Sequence, residues 1–367
     1  MNNKKNKSSI NVQEKGQDFP GQTLSCLPWQ YEEYDQIRRQ HASGKLSHAL
    51  LLSGQAFLGK SHFAHAIVSA MLCERAESIS NNGAIDRSAC GDCTGCHLLA
   101  AGTHPDFRLL RPEDSKLIKV EQIRDVIAWA GQTAQRSGKK VVIVNPADQM
   151  NHQSANALLK CLEEPAGDSL IMLVTSHPGR LLPTIRSRCQ LVDFHIPSRS
   201  KAIEWLQLHG TDSGRDNEIL LDVAGGAPLA VLERFDEAFL ERRKLIILGM
   251  KDLISGKKTT QQFSELLSKS GAADALDCMY DLSIDCLKYL SCNDLHHIRN
   301  RDLSRVIEQI CGVFDIEAIF RFCETLKAAR RELSSSSNPD AVLLLESVVI
   351  ALKSLPQVSS DGNGQSI

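Results

Sequence analysis

Residues 54–61 read Gly-Gln-Ala-Phe-Leu-Gly-Lys-Ser, a complete match to the G-x-x-x-x-G-K-[ST] pattern. The flanks of this loop constrain the fold more than any other stretch. An apolar run, HALLLS at residues 48–53, leads into it, and helical periodicity at 61–73 follows, with Phe63, Ile67, Val68 and Met71 on one side. Glycines let the backbone curl so that successive N–H groups face a phosphate, and the helix N-terminus adds the positive end of its dipole. Gly54, Gly59, Lys60 and Ser61 are therefore the cofactor-binding candidates, Lys60 for the outer phosphates of ATP and Ser61 for Mg²⁺. Whether the loop still holds ATP and Mg²⁺ is left open by the motif itself.

Three further apolar runs at residues 140–144, 170–175 and 190–195 are short, rich in Val, Ile and Leu, and bounded by Gly, Pro, Asn or Ser. Such continuous apolarity fits parallel strands covered on both faces, and the helical stretches at 120–133 and 154–164 supply the cover. A loop that cleaves ATP also needs an acid at the tip of a second strand to hold Mg²⁺, and a second acid to orient water. The run 140–144 is that strand, and it ends in Asn145-Pro146-Ala147-Asp148. Asn145 and Pro146 supply neither charge nor proton acceptor. Asp148 comes three residues late and reads as a local cap. Autonomous hydrolysis is not expected.

Cys90, Cys93 and Cys96 form a C-x₂-C-x₂-C cluster, and Cys73 lies upstream at the end of a predicted helix. Four thiolates satisfy a closed tetrahedral site, so the expectation is a structural Zn²⁺, with an iron–sulfur cluster as the competitor. His97 and His104 are rivals to Cys73 for the fourth position, although His104-Pro105-Asp106 reads as a turn. The other cysteines sit singly in apolar stretches and read as reduced, buried thiols. With no export signal, this suggests a cytoplasmic protein.

The chain has 367 residues and a net charge of −2, so it is long enough for two or three domains and too neutral to coat nucleic acid by bulk electrostatics. No apolar run is long enough to span a membrane. By pattern the chain divides into a disordered tail at 1–25, an α/β P-loop domain with the cysteine module (73–96) at 26–196, a small helical lid at 197–235, an all-α domain at 236–356, and a second tail at 357–367. Breaks in the last domain are expected at Ser255-Gly256, Ser270-Gly271, Cys292-Asn293 and the serine run 334–337.

Arg186 and Arg188 lie in Thr-Ile-Arg-Ser-Arg-Cys, just before the last apolar run. They read either as solvated surface or as a place from which Arg188 projects toward a neighbouring subunit's γ-phosphate.

Taken together, the P-loop, the cysteine cluster followed by Gly102-Thr-His-Pro-Asp-Phe107, the stretch from Ser154 to Pro165 and Ser187-Arg188-Cys189 resemble bacterial clamp-loader subunits of the AAA+ group. The resemblance is firm over residues 27–235 and architectural beyond. It implies an AAA+ core with a zinc excursion, a helical lid and a helical collar. It also implies partners: gamma/tau and delta subunits in a pentameric loader of DNA polymerase III, which opens the sliding clamp and places it on primed DNA. Arg188 becomes an arginine finger offered in trans. Within the group, Asn145, Pro146 and a leucine (Leu229) where the ATPase carries a nucleotide-sensing arginine point to a non-hydrolysing branch. The alternative is an ATP-hydrolysing subunit of gamma/tau type. Paired metal-binding carboxylates for nucleotidyl transfer are missing, so polymerisation belongs to the holoenzyme.

Overall fold

The computed structural model describes residues 26–75, 89–113, 117–165, 167–209, 214–234, 237–333 and 340–357. The expected tails at 1–25 and 357–367, apart from Gln357, and the serine run at 334–337 lie outside these residues. The chain divides into two compact units, Met1–Trp205 with Ala227–Leu229, and Leu206–Gly226 with Ala230–Ile367.

The first unit is α/β. Its strands are β1 (Ala49–Gly54), β2 (Phe107–Leu110), β3 (Lys140–Val144), β4 (Ser169–Thr175) and β5 (Gln190–Phe194). All neighbouring pairs run parallel, in the order β2-β3-β4-β1-β5. The three central strands are buried almost throughout. This is why they read as unbroken apolar runs. The edge strand β2 was not anticipated from the sequence; its residues alternate between part-buried and exposed until Leu110.

The helices that lie wholly within this unit among the described residues are α1 (Tyr31–Ala42), α2 (Lys60–Leu72), α3 (Thr94–Ala100), α4 (Val120–Ala130), α5 (His152–Glu163) and α6 (Pro183–Arg186). One face of the sheet, through Ala49, Leu51, Val142, Val144, Ile171 and Leu173, packs with Ile123 and Val126 of α4, Leu158 and Leu162 of α5 and Ile185 of α6. Strand alternation turns Leu50, Leu52, Val141, Ile143 and Met172 to the opposite face, where they too are buried. There Phe63 of α2 meets Phe194 of β5 edge-on at 4.9 Å.

The chain continues through α7 (Arg199–Leu208), α8 (Gly214–Val223) and α9 (Pro228–Arg234). The all-helical remainder comprises α10 (Glu237–Ile254), α11 (Thr260–Ser270), α12 (Ala272–Cys292), α13 (Ser304–Cys311), α14 (Ile316–Leu333) and α15 (Ala341–Lys353). Its core gathers Ile246, Met250, Phe263, Leu276, Met279, Phe322 and Val348. A buried polar chain crosses it: Asp285 accepts from Asn300, whose Oδ1 accepts from Arg243, which also forks onto Asp302. The expected breaks at Ser255-Gly256, Gly271 and Asn293 coincide with helix ends. No helix among the described residues is long and apolar enough to cross a membrane.

Candidate functional site

Strand order positions the P-loop. Gly54 ends β1 and Gly59 caps α2, with φ of +146° and +81° respectively. Both values favour glycine, and both positions are crowded. A Cβ on Gly54 would lie 2.6 Å from the Phe194 carbonyl oxygen, and one on Gly59 would lie 2.3 Å from Leu27 Cδ1. Residues just ahead of α1 strap the loop from behind. Trp29 Nε1 donates to Leu58 O at 3.0 Å, and Gln30 Nε2 donates to Leu58 O at 3.0 Å and Gly59 O at 2.8 Å. Leu229 is fully buried, its Cδ1 3.4 Å from where a Gly59 Cβ would sit. It serves as packing at the loop.

Because β4 lies between β1 and β3, its tip sits beside the loop. Lys60 is buried, and its Nζ donates to Gly54 O (2.9 Å), Gln55 O (2.6 Å) and Ser176 Oγ (3.0 Å). Ser61 Oγ accepts from Asn145 Nδ2 at 2.9 Å. The residue at the tip of β3 therefore reaches the serine, but as a neutral amide. The amide brings no negative charge to the position beside Ser61 at which Mg²⁺ would bind.

Asp148 is not the local cap expected of it. Its carboxylate accepts from Thr175 Oγ1 at 2.6 Å and lies 3.3 Å from His177 Nδ1, while Asn151 caps α5. Both contacts tie this acid to the end of β4 and the residues just after it. The groove in front of the loop measures about 570 Å³ and is lined by Lys60, Ser61, Asn145, Asp148, Thr175 and Arg180, among others. Thr175 and Ser176 were not singled out from the sequence, because only the insertion of β4 between β1 and β3 brings them here.

The four cysteines converge. Cys73 caps the end of α2, Cys93 caps the start of α3, Cys96 lies within α3, and Cys90 precedes it. Their sulfurs all lie within 4.8 Å of one another, with Cys73–Cys90 at 3.5 Å and both Cys90–Cys96 and Cys93–Cys73 at 3.9 Å. A tetrahedral metal with Zn–S bonds of roughly 2.3 Å puts its sulfurs about 3.8 Å apart, so the cluster has the dimensions of a zinc site. Backbone N–H groups of Cys96 and Glu74 donate to Cys93 Sγ. Burial by itself would raise that thiol, but these donors and the neighbouring thiols bring it down to about 6.

His104 stays out of the cluster and forms the turn expected of it, Nδ1 accepting from the Asp106 N–H at 3.1 Å. Asp106 is fully buried and accepts from the N–H groups of Gln135, Arg136 and Ser137. Burial would raise its carboxyl, but those donors hold it below the usual range.

Arg188 lies between α6 and β5. Nη2 pairs with Glu163 Oε1 at 2.6 Å, and Nη1 donates to Thr184 O at 3.0 Å.

Comparison with known proteins identifies a family for the chain. The family described as "DNA polymerase III, delta subunit" matches residues 29–198, and the one described as "DNA polymerase III, delta subunit, C terminal" matches 237–354. DNA polymerase III subunit delta' of Pseudomonas aeruginosa is 34% identical over 333 residues, covering 90% of this chain and 98% of that protein. The Haemophilus influenzae subunit of the same name is 30% identical over 321 residues, covering 88% and 95%. A solved gamma subunit-related protein of Thermotoga maritima overlaps at 16% identity, 88% and 98% coverage and a TM-score of 0.39, too loosely to argue from.

Proposed function

This chain belongs to the DNA polymerase III delta-prime family of clamp-loader subunits, and from that premise we propose that it acts as a stator that hydrolyses no ATP itself. The observation that carries the reading is the Asn145 amide on Ser61 Oγ at 2.9 Å. An amide there offers Mg²⁺ no charge, and Asp148, the acid lining the groove, is engaged by Thr175 Oγ1 and the His177 ring. ATP turned over in the complex is then bound by neighbouring subunits of gamma/tau type, with delta as the further partner and the sliding clamp and primed DNA reached through the assembly.

In this reading Arg188 is the finger offered in trans to the adjacent nucleotide. Cys73, Cys90, Cys93 and Cys96 hold a structural Zn²⁺. The metal would close the excursion between α2 and α3 and leave no open position for chemistry. The lid at 197–235 and the collar at 236–356 seat the core among its neighbours, in a cytoplasmic complex.

ATPase assays test both halves. The purified chain should show no turnover above background. Turnover abolished by Lys60→Ala would instead place it with the gamma/tau type. In the reconstituted loader, Arg188→Ala should slow hydrolysis at the site it serves by about 10³-fold or more. Unchanged DNA-stimulated turnover would remove the finger from the mechanism.

A further inference from the structure

Arg188 is held at three points by its own chain. Glu163 Oε1 lies 2.6 Å from Nη2, Thr184 O accepts from Nη1 at 3.0 Å, and Ser187 Oγ lies 3.4 Å from Nη1. The anchor for this hold is the core beneath. Glu163 is the last residue of α5 and directly follows buried Leu162, and Arg188 comes three residues after fully buried Ile185. Leu162 and Ile185 belong to the same hydrophobic cluster, and the Arg188 N–H donates to Ile185 O at 3.1 Å. The backbones carrying both side chains are thus fixed to one core.

The Arg188 side chain remains 35% exposed and that of Glu163 50%. An ion pair so exposed adds little to stability. Its consequence lies in where it puts the guanidinium. A long arginine left alone samples many rotamers, and a finger that must meet a phosphate in a neighbouring subunit loses rate with every rotamer that points elsewhere.

We infer that Glu163 is a positioning residue for Arg188: its carboxylate selects the orientation in which the guanidinium is presented in trans. The inference rests on the finger reading above and adds a residue to it. Glu163 touches no nucleotide and acts only through the arginine.

The test is single-turnover ATP hydrolysis by the reconstituted loader carrying wild type, Glu163→Ala, Glu163→Gln, Arg188→Ala or the Glu163→Ala/Arg188→Ala pair. Glu163→Ala should lower the rate at the served site about 10-fold at unchanged KM for ATP. Glu163→Gln, which keeps an oxygen for Nη2, should lose less and also covers the case in which the alanine variant fails to assemble. In the Arg188→Ala background, Glu163→Ala should change nothing more, because there is no guanidinium left to orient.

Additive losses in the pair would overturn the inference. So would wild-type rates for both Glu163 variants in a loader that Arg188→Ala cripples, which would leave the finger reading standing alone. A rate that rises on removing the carboxylate would mean that Glu163 holds the finger back, and also overturns it. Were Arg188→Ala itself silent, the finger reading would fall and this inference with it.

Discussion

The P-loop and the cysteine cluster are both complete as motifs, yet they differ in what completes them as sites. The cluster draws its four sulfurs from the end of α2 and from the start of α3 and the residues just before it, a span of 24 positions from Cys73 to Cys96, and they meet within 4.8 Å. The P-loop has every glycine, the lysine and the serine, but its chemistry depends on β3, reached from the far side of β4. There it meets the amide of Asn145. A motif whose missing member comes from the end of the preceding helix is completed by local folding. One that borrows a residue from another strand depends on what that strand supplies.

The largest effect that could break this contrast is loss of the metal site. Purified protein should contain about one zinc per chain, measured by elemental analysis, and Cys93→Ser should release it. That variant should destabilise the first unit by at least about 3 kcal/mol in denaturant melts, since folding of such sites is tied to binding. Iron in place of zinc would make the cluster something other than a staple.

Next comes Asp106, the buried carboxylate that gathers the loop at 135–137 and lies 4.0 Å from buried Lys140 Nζ. Asp106→Asn should cost about 3–5 kcal/mol, because it leaves the lysine's charge without its partner. Its carboxyl is held below the ordinary value, so it contributes stability at neutral pH. That contribution should fade as pH falls below about 4, and the variant's acid titration should lack this component.

Lys60→Ala separates strut from motor. It removes three hydrogen bonds to Gly54, Gln55 and Ser176, and thermal denaturation should report a loss of about 1–3 kcal/mol. Loader turnover should persist once assembly is matched. In a hydrolysing subunit the same change would stop its own turnover.

The smallest change sharpens the comparison most. Asn145→Asp places a carboxylate where the amide now meets Ser61, with stability altered by no more than about 1 kcal/mol. Titration calorimetry should then show Mg²⁺ strengthening nucleotide binding in the variant and leaving the natural chain unaffected. Equal Mg²⁺ dependence in both would mean that another group anchors the ion.

Legibility followed burial and contiguity. The strands β1, β3 and β4 were readable because both faces are covered, so nearly every position must be apolar. Strand β2 went unnoticed because an edge strand with Arg108 exposed between part-buried Phe107 and Leu109 lacks that continuity. Asp148 was read as a cap because a carboxylate just ahead of a helix usually is one, yet Thr175 and His177 claim it from 27 and 29 residues away. Glu163 is the last residue of α5. Nothing in its neighbourhood along the chain announces Arg188.

Residue order was enough for the α/β core, the three-cysteine run at 90–96 and the missing acid after β3, since each is a property of neighbouring residues. Packing settled the rest. It brought Ser176 to Lys60, Asn145 to Ser61 and Glu163 to Arg188, pairs separated by 116, 84 and 25 positions. Hydrogen bonds and ion pairs act over about 3 Å, and no pattern in a linear sequence encodes which distant side chains a sheet will bring that close.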